Sequence, residues 1–252
     1  MKRQILNCIS TIDELNIEEF TRLGIGVEIQ DFTEPNFSED EVDQLVLRYK
    51  EQFKDFRLTK SMHGPFLDLK PSSPDLQIRA ISQKRYRKAL EIATELDMDY
   101  IVFHSQIDPN LNEPSLARLN NSQSRDAWTA LVHAAKDYRG TIVIENVFEK
   151  SPAMLKDLIE TIDLPRVKIN LDVGHCLLGQ ASPKEWISAL HKHIAYIHFH
   201  TNNGIHDQHK RVTGEDIQKL YKLLDQYQID PVIALEYPVI DLEQEVLAFT
   251  AP

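Results

Sequence analysis

The chain has little cysteine. Cys8 and Cys176 lie far apart and form no CxxC pair, which excludes a disulfide framework and a thiolate metal knuckle and fits a reducing compartment. Long apolar runs are also missing: YIVF and AYIHF are strand-sized, far short of the roughly 20 consecutive apolar residues of a membrane-spanning helix. Asn7, Ser10, Asp13 and Glu14 break any signal-peptide core, so a cytoplasmic location is expected and no membrane partner. Glycine is scarce, at 8 of 252 residues, and absent from the CISTIDE segment that follows the first strand candidate. That counts against an open doubly wound sheet, which normally opens on a glycine-rich turn. Positive charge is in deficit, since 28 Lys and Arg against 39 Asp and Glu give 28 − 39 = −11. No basic run is interleaved with aromatics, so a nucleic-acid partner is not expected. Bound divalent ions would add positive charge that this count does not see.

What is present is a repeat. Short β-branched and aromatic runs alternate with amphipathic stretches along the chain, without linker-like or low-complexity segments. Strands are read at 4–10, 26–31, 58–63, 100–105, 141–146, 167–172, 195–200 and 231–237. Ser73-Pro74-Asp75, Ser151-Pro152 and Ser182-Pro183 mark helix starts for 74–96, 152–162 and 183–193; each sets a capping residue before a proline whose missing N–H is harmless in a first turn. Strands separated by helices pair in parallel through right-handed crossovers. Eight units in 252 residues, about 31 each, predict an α/β fold: a single (β/α)8 TIM barrel over 1–252, with a parallel eight-stranded sheet. The last stretch, DLEQEVLAFTAP, is short for an eighth barrel helix, which predicts an apolar surface covered by a second copy in a homodimer.

In such a barrel the active site lies at the carboxyl-terminal rim. Six consecutive strands deliver His, Asp or Glu there: His63, His104, Glu145, Asp172 with His175 just beyond, His198 and His200 with Asp207 and His209 in the following loop, and Glu236. Neutral imidazoles and carboxylates are ligands that Zn, Mn, Fe and Co accept. The set predicts a divalent-metal site of one to three ions. His200 shares the inward face of His198 by strand period two, so it is read as a residue that supports or binds beside the ligands, or as a substitute ligand. Outside the set, His133 is expected mid-helix, His191 and His193 near a helix end, and His206 in a loop.

The motifs MHGPFLDLKPSSPD, VFHSQ, IVIEN, LDVGH, HFHTNNGIHDQH followed by VTGEDI, and ALEY, spread over about 58–237, together resemble the xylose-isomerase-like TIM-barrel superfamily. That family holds sugar isomerases and epimerases and the endonuclease IV type of abasic-site nuclease. The isomerase resemblance implies one divalent metal on Glu145, Asp172, His198 and Glu236. The nuclease resemblance implies three zinc ions: one on His63, His104 and Glu145, one on Glu145, Asp172, His198 and Glu236, and one on His175, Asp207 and His209.

Isomerisation needs a Lewis acid on a carbonyl and a neighbouring hydroxyl, and a carboxylate that removes and returns a proton. Glu145 and Glu236 are the expected catalytic pair, working through an enediolate on a sugar-like small molecule. Arg211 and His200 are the expected substrate-binding residues. Against the nuclease, ENVFEKSPAML lacks an Ala-Gly-Gln-Gly-like continuation and LDVGHCLLGQASP is short and poor in basic residues. Abasic DNA with a trinuclear zinc centre is the alternative substrate, and a non-catalytic sugar- or metal-binding barrel a third reading. TNNGIHDQ and YPVIDLE hold one glycine between them, so a phosphate on the substrate is not expected.

Overall fold

Runs of aliphatic and β-branched residues, most ending at or just before a polar rim residue, form eight strands in the computed structural model, which describes residues 3–110 and 113–250. They are β1 (Ile5–Ile9), β2 (Gly26–Ile29), β3 (Lys60–His63), β4 (Tyr100–His104), β5 (Thr141–Glu145), β6 (Val167–Asp172), β7 (Ile194–Phe199) and β8 (Val232–Leu235). Between and after them run α1 (Ile17–Leu23), α2 (Glu39–Phe53), α3 (Leu76–Glu95), α4 (Pro114–Ala134), α5 (Pro152–Ile162), α6 (Val173–Leu178), α7 (Pro183–Leu190), α8 (Gly214–Tyr227) and α9 (Leu242–Thr250). Every strand pairs in parallel with its sequence neighbours, and β1 closes on β8 with Ile5 opposite Ile233, giving a closed (β/α)8 barrel. Closure excludes the open doubly wound sheet and leaves no strand edge. No described helix is long and apolar enough to cross a membrane.

Two cores result. Outward strand residues pack under the helices, with Trp186, Tyr49 and Tyr86 among the largest fully buried side chains. Inward residues fill the barrel. Leu6, Val102, Val143, Tyr196, Val232 and Ala234 form an apolar layer inside it. Two residues further along the same strands the inward positions turn polar: Val102 gives way to His104, Val143 to Glu145, Tyr196 to His198 and Ala234 to Glu236. Period-two geometry therefore stacks a polar layer on a dry plug.

Helix starts differ in detail from the sequence reading. Asp75, not Ser73, caps α3 and accepts from the N–H groups of Gln77 and Ile78, while Ser73 Oγ holds the N–H of Asp75. Ser182 caps α7 in a reciprocal box with Glu185, and Ser151 precedes α5 without a side-chain bond to it. His133 falls in the last turn of α4, not mid-helix.

Candidate metal centre

The barrel mouth collects the predicted rim residues. His63, His104, Glu145 and Asp172 end β3, β4, β5 and β6, His198 lies on β7, and His200 and Glu236 sit one residue past β7 and β8. Asp172 caps α6 by accepting from the N–H of His175 at 2.7 Å, so the helix starts with the imidazole of its first turn beside the cap. The loop after β7 folds back through a Thr201–Lys210 bridge, bringing in Asp207 and His209. His209 takes a left-handed φ of 44°, a conformation costing a non-glycine residue on the order of 1–3 kcal/mol.

Hydrogen bonds to backbone carbonyls, and in His198 to a buried carboxylate, mark one ring nitrogen of each of four histidines as a donor. Nδ1 of His63 donates to the Gly64 carbonyl at 2.8 Å, Nδ1 of His175 to the Asn146 carbonyl at 2.8 Å, and Nδ1 of His209 to the Glu236 carbonyl at 2.9 Å. Nε2 of His198 donates to the Glu28 carboxylate at 3.0 Å. Each ring is left with its other nitrogen facing carboxylates. Nε2 of His175 and Nε2 of His209 both meet Asp207 Oδ2 at 3.0 Å. Nδ1 of His198 meets Glu236 Oε2 at 3.0 Å and Glu145 Oε2 at 3.2 Å, with Asp172 Oδ2 at 3.9 Å. Nε2 of His63 and of His104 each lie 3.7 Å from Glu145.

Lone pairs turned toward carboxylates call for positive charge between them, from protons or from a cation. The titration directions show that demand. Burial pushes His198 and His175 down, but the surrounding carboxylates outweigh it and raise both well above the usual histidine range. His209 likewise rises to about 9 against its burial, through Asp207 and Glu236. Burial would raise Asp207, yet His175 and His209 hold it far below the carboxylate range. His104 goes the other way, lowered by burial to about 3, and so stays a neutral donor.

The donor set fits divalent metal. His63, His104 and Glu145 offer ligand atoms all within 4.8 Å of one another; so do Glu145, Asp172 and His198; Asp172, His200 and Glu236; and His175, His200, Asp207 and His209. His198 Nδ1, His200 Nδ1 and Glu236 Oε2 are buried without a hydrogen-bond partner, which is costly for polar atoms that have no cation to meet. Oxygen and imidazole donors without thiolate suit Zn, Mn, Fe or Co.

His200 joins two of these groups, stacking on His209 with ring centroids 4.1 Å apart and reaching Asp172 Oδ2 at 3.2 Å. Arg211 is the other expected substrate-binding residue. It does not line the cavity, and its Nε donates to the buried Glu245 of α9 at 2.6 Å, where Tyr237 Oη also donates, so it ties the β7 loop to the last helix. Asn170 and Asn146 were not singled out from sequence. Asn170 Nδ2 donates to Glu145 Oε2 at 2.9 Å, and Asn146 brackets the Asp172 backbone at 2.9 and 3.0 Å. Period two from Asp172 marks Asn170. Glu28 and Gln30 were missed as well, although an acid centred in the apolar strand GVEI is a signal in itself.

The mouth opens into a cavity of about 750 Å³ whose lining includes Phe66, Leu67, Phe148, Lys70 and Lys150, within the size range of small-molecule sites. A second cleft of about 760 Å³ adjoins it at Gln30, His209 and Glu236.

Fold and rim together define a (β/α)8 barrel with a mouth lined by histidines and carboxylates. Residues 24–250 match the xylose isomerase-like TIM barrel family, and the chain belongs to that family. Protein MJ1311 of Methanocaldococcus jannaschii is 28% identical over 203 residues, 75% of this chain and 68% of its own length. Among solved structures, a D-tagatose 3-epimerase-like protein superposes with a TM-score of 0.74 at 23% identity, covering 96% of this chain and 94% of that one. The TTHB071 protein of Thermus thermophilus, from crystals soaked with ZnCl2, superposes with a TM-score of 0.75 at 24% identity, covering 99% and 96%. At these identities the structural likeness is one of fold.

Proposed function

We propose that the protein is a divalent-metal-dependent isomerase or epimerase acting on a sugar or related hydroxy-carbonyl molecule. One observation carries the reading: Glu145 and Glu236 approach the same inward nitrogen, His198 Nδ1, at 3.2 and 3.0 Å at the floor of a small-molecule cavity. Neighbours of the same fold that are named as sugar epimerases add support. A divalent ion held by Glu145, Asp172, His198 and Glu236 would act as a Lewis acid on the substrate carbonyl and the adjacent hydroxyl.

The side chains have separable roles. Glu236 is held by one oxygen, Oε1, which accepts from Gln30 Nε2 at 2.8 Å, and its Oε2 is left without a hydrogen bond. The Glu236 carboxylate so oriented is the base that takes the proton from the carbon next to the carbonyl. Glu145, fixed by Asn170, returns a proton from the other side. His175, whose Nδ1–H is tied to a backbone carbonyl, lines the cavity and turns Nε2 toward Asp207. Phe66, stacked on His104 at 4.2 Å, supplies an apolar wall for the carbon face of a sugar.

The test is deuterium uptake from D2O into a panel of ketoses and aldoses with metal-loaded protein. Uptake at the carbon next to the carbonyl is expected, and Glu236→Gln should reduce it about 100-fold or more, the scale of a lost general base. Full exchange in that variant would remove Glu236 from the role.

A second reading has its own observation. The His63–His104 pair and the His175–Asp207–His209 group flank the central carboxylates, and a single-metal site has no use for both. Three ions spread over these groups would suit phosphodiester hydrolysis, with abasic DNA as the substrate to try. Metal analysis separates the two: one equivalent supports isomerisation, and three with cleavage of an abasic duplex supports hydrolysis.

A further inference from the structure

The rim imidazoles are not anchored alike. His63, His175 and His209 donate to backbone carbonyls, which are neutral acceptors. His198 instead donates from Nε2 to a carboxylate, lying 3.0 Å from Glu28 Oε1 and 3.1 Å from Oε2. Glu28 sits in the barrel interior with no solvent exposure, and no Lys or Arg pairs with it among the described residues.

An isolated carboxylate in such a place costs several kcal/mol, and here five side chains offset that cost. Tyr196 Oη donates to Oε2 at 2.7 Å and Ser61 Oγ at 3.2 Å, while Oε1 receives Gln30 Nε2 at 3.3 Å and Cys8 Sγ at 3.5 Å, beside the His198 ring. Glu28 is therefore a carboxylate whose two oxygens are surrounded by donors. Cys8, Glu28 and His198 lie close enough to suggest a metal group of their own, but the oxygens of Glu28 are already occupied by these hydrogen bonds. Gln30, on the same inward face, shares its Nε2 between Glu28 Oε1 and Glu236 Oε1, which leaves Glu236 Oε2 turned to His198 Nδ1.

We infer that Glu28 is a positioning residue of the metal centre: its carboxylate holds His198 with the proton on Nε2, aims Nδ1 between Glu145, Asp172 and Glu236, and through Gln30 orients the free oxygen of Glu236. The inference rests on the metal reading above. An anionic acceptor also makes the imidazole a stronger ligand than a carbonyl would, and partners of this kind are commonly worth 10–100-fold in metal affinity.

Glu28→Gln keeps the size and one acceptor oxygen, puts an amide NH2 in place of the other, and removes the charge. The full chain is titrated with Co(II), read by visible absorption and calorimetry, and the zinc-loaded protein is examined by ¹⁵N imidazole NMR. The variant should bind Co(II) about 10–100-fold more weakly at one group of sites. Its His198 Nε2–H proton should move upfield. Equal affinity and an unmoved proton overturn the role of Glu28 and leave the metal reading standing. Wild type that binds no Co(II) overturns both. Tyr196→Phe, which removes a donor from Glu28 without touching His198, carries the test if Glu28→Gln does not fold. A smaller loss in the same direction supports the role, and unchanged affinity with an unmoved proton overturns it.

Discussion

Asp31, a residue outside the site, shows how burial alone sets a pH dependence. It lies two residues past β2 in a short 3-10 turn, accepts from the Ile12 N–H at 3.1 Å and from Tyr49 Oη, and is raised by burial against those two bonds. A raised folded pKa means the native state holds the proton more tightly than the unfolded chain, so this contribution is greatest below the unfolded value near ~3.9 and is lost as pH rises toward the folded one. Asp31→Asn removes the titration. In urea unfolding across that interval the variant should gain on the wild type as pH rises, and a constant gap between them would refute the assignment. The placement of the rim residues was legible one residue at a time, because His, Asp and Glu at the ends of apolar strands are conspicuous. Glu28 was not, since its meaning lies in a partner 170 positions away. Arg211 makes the matching point: a charged residue next to a site motif meets Glu245 in the last helix.

At the scale of elements, α6 is set by its cap and by one glycine. A Cβ on Gly174 would lie 1.9 Å from His200 Cε1 and 2.3 Å from its Nδ1. Helix propensity alone says Gly174→Ala should stabilise by up to about 1 kcal/mol. The contact says otherwise, because His200 is fully buried and held by Asp172, and overpacking of this kind costs about 1–3 kcal/mol. Denaturant unfolding should therefore show net destabilisation, with weaker metal binding by the His200 groups; a stabilised variant would show that the ring has room to move. All eight strands and the 152–162 helix were readable from periodicity and caps. Six strands are shorter than expected by one to three residues, because pairing stops where neighbouring strands diverge into loops, which a single sequence does not display; β6 keeps its expected bounds and β7 is shifted back by one residue.

Over the whole molecule, five carboxylates (Glu28, Glu145, Asp172, Asp207 and Glu236) crowd one mouth, and no Lys or Arg among the described residues pairs with any of them. A metal that binds only the folded state adds about 2.7 kcal/mol at 100 times its Kd, which for a barrel of this size is a rise in melting temperature of roughly 5–10 °C. Differential scanning calorimetry before and after dialysis against a chelator should show that drop, with recovery on adding Zn or Mn. Identical melting curves would mean that protons alone balance the cluster.

The sequence by itself determined the closed parallel barrel and the ring of donors. Repeats of strand and helix leave little other way to bury their apolar faces, and period two sends chosen side chains to one rim. Only the tertiary structure decided which nitrogen of each histidine faces inward, that Glu28 and Gln30 stand behind His198 and Glu236, and that Arg211 serves the frame. Those outcomes depend on contacts across the barrel between residues distant in the chain, and hydrogen bonding to a fixed acceptor is a matter of angle and distance that no spacing along one strand encodes.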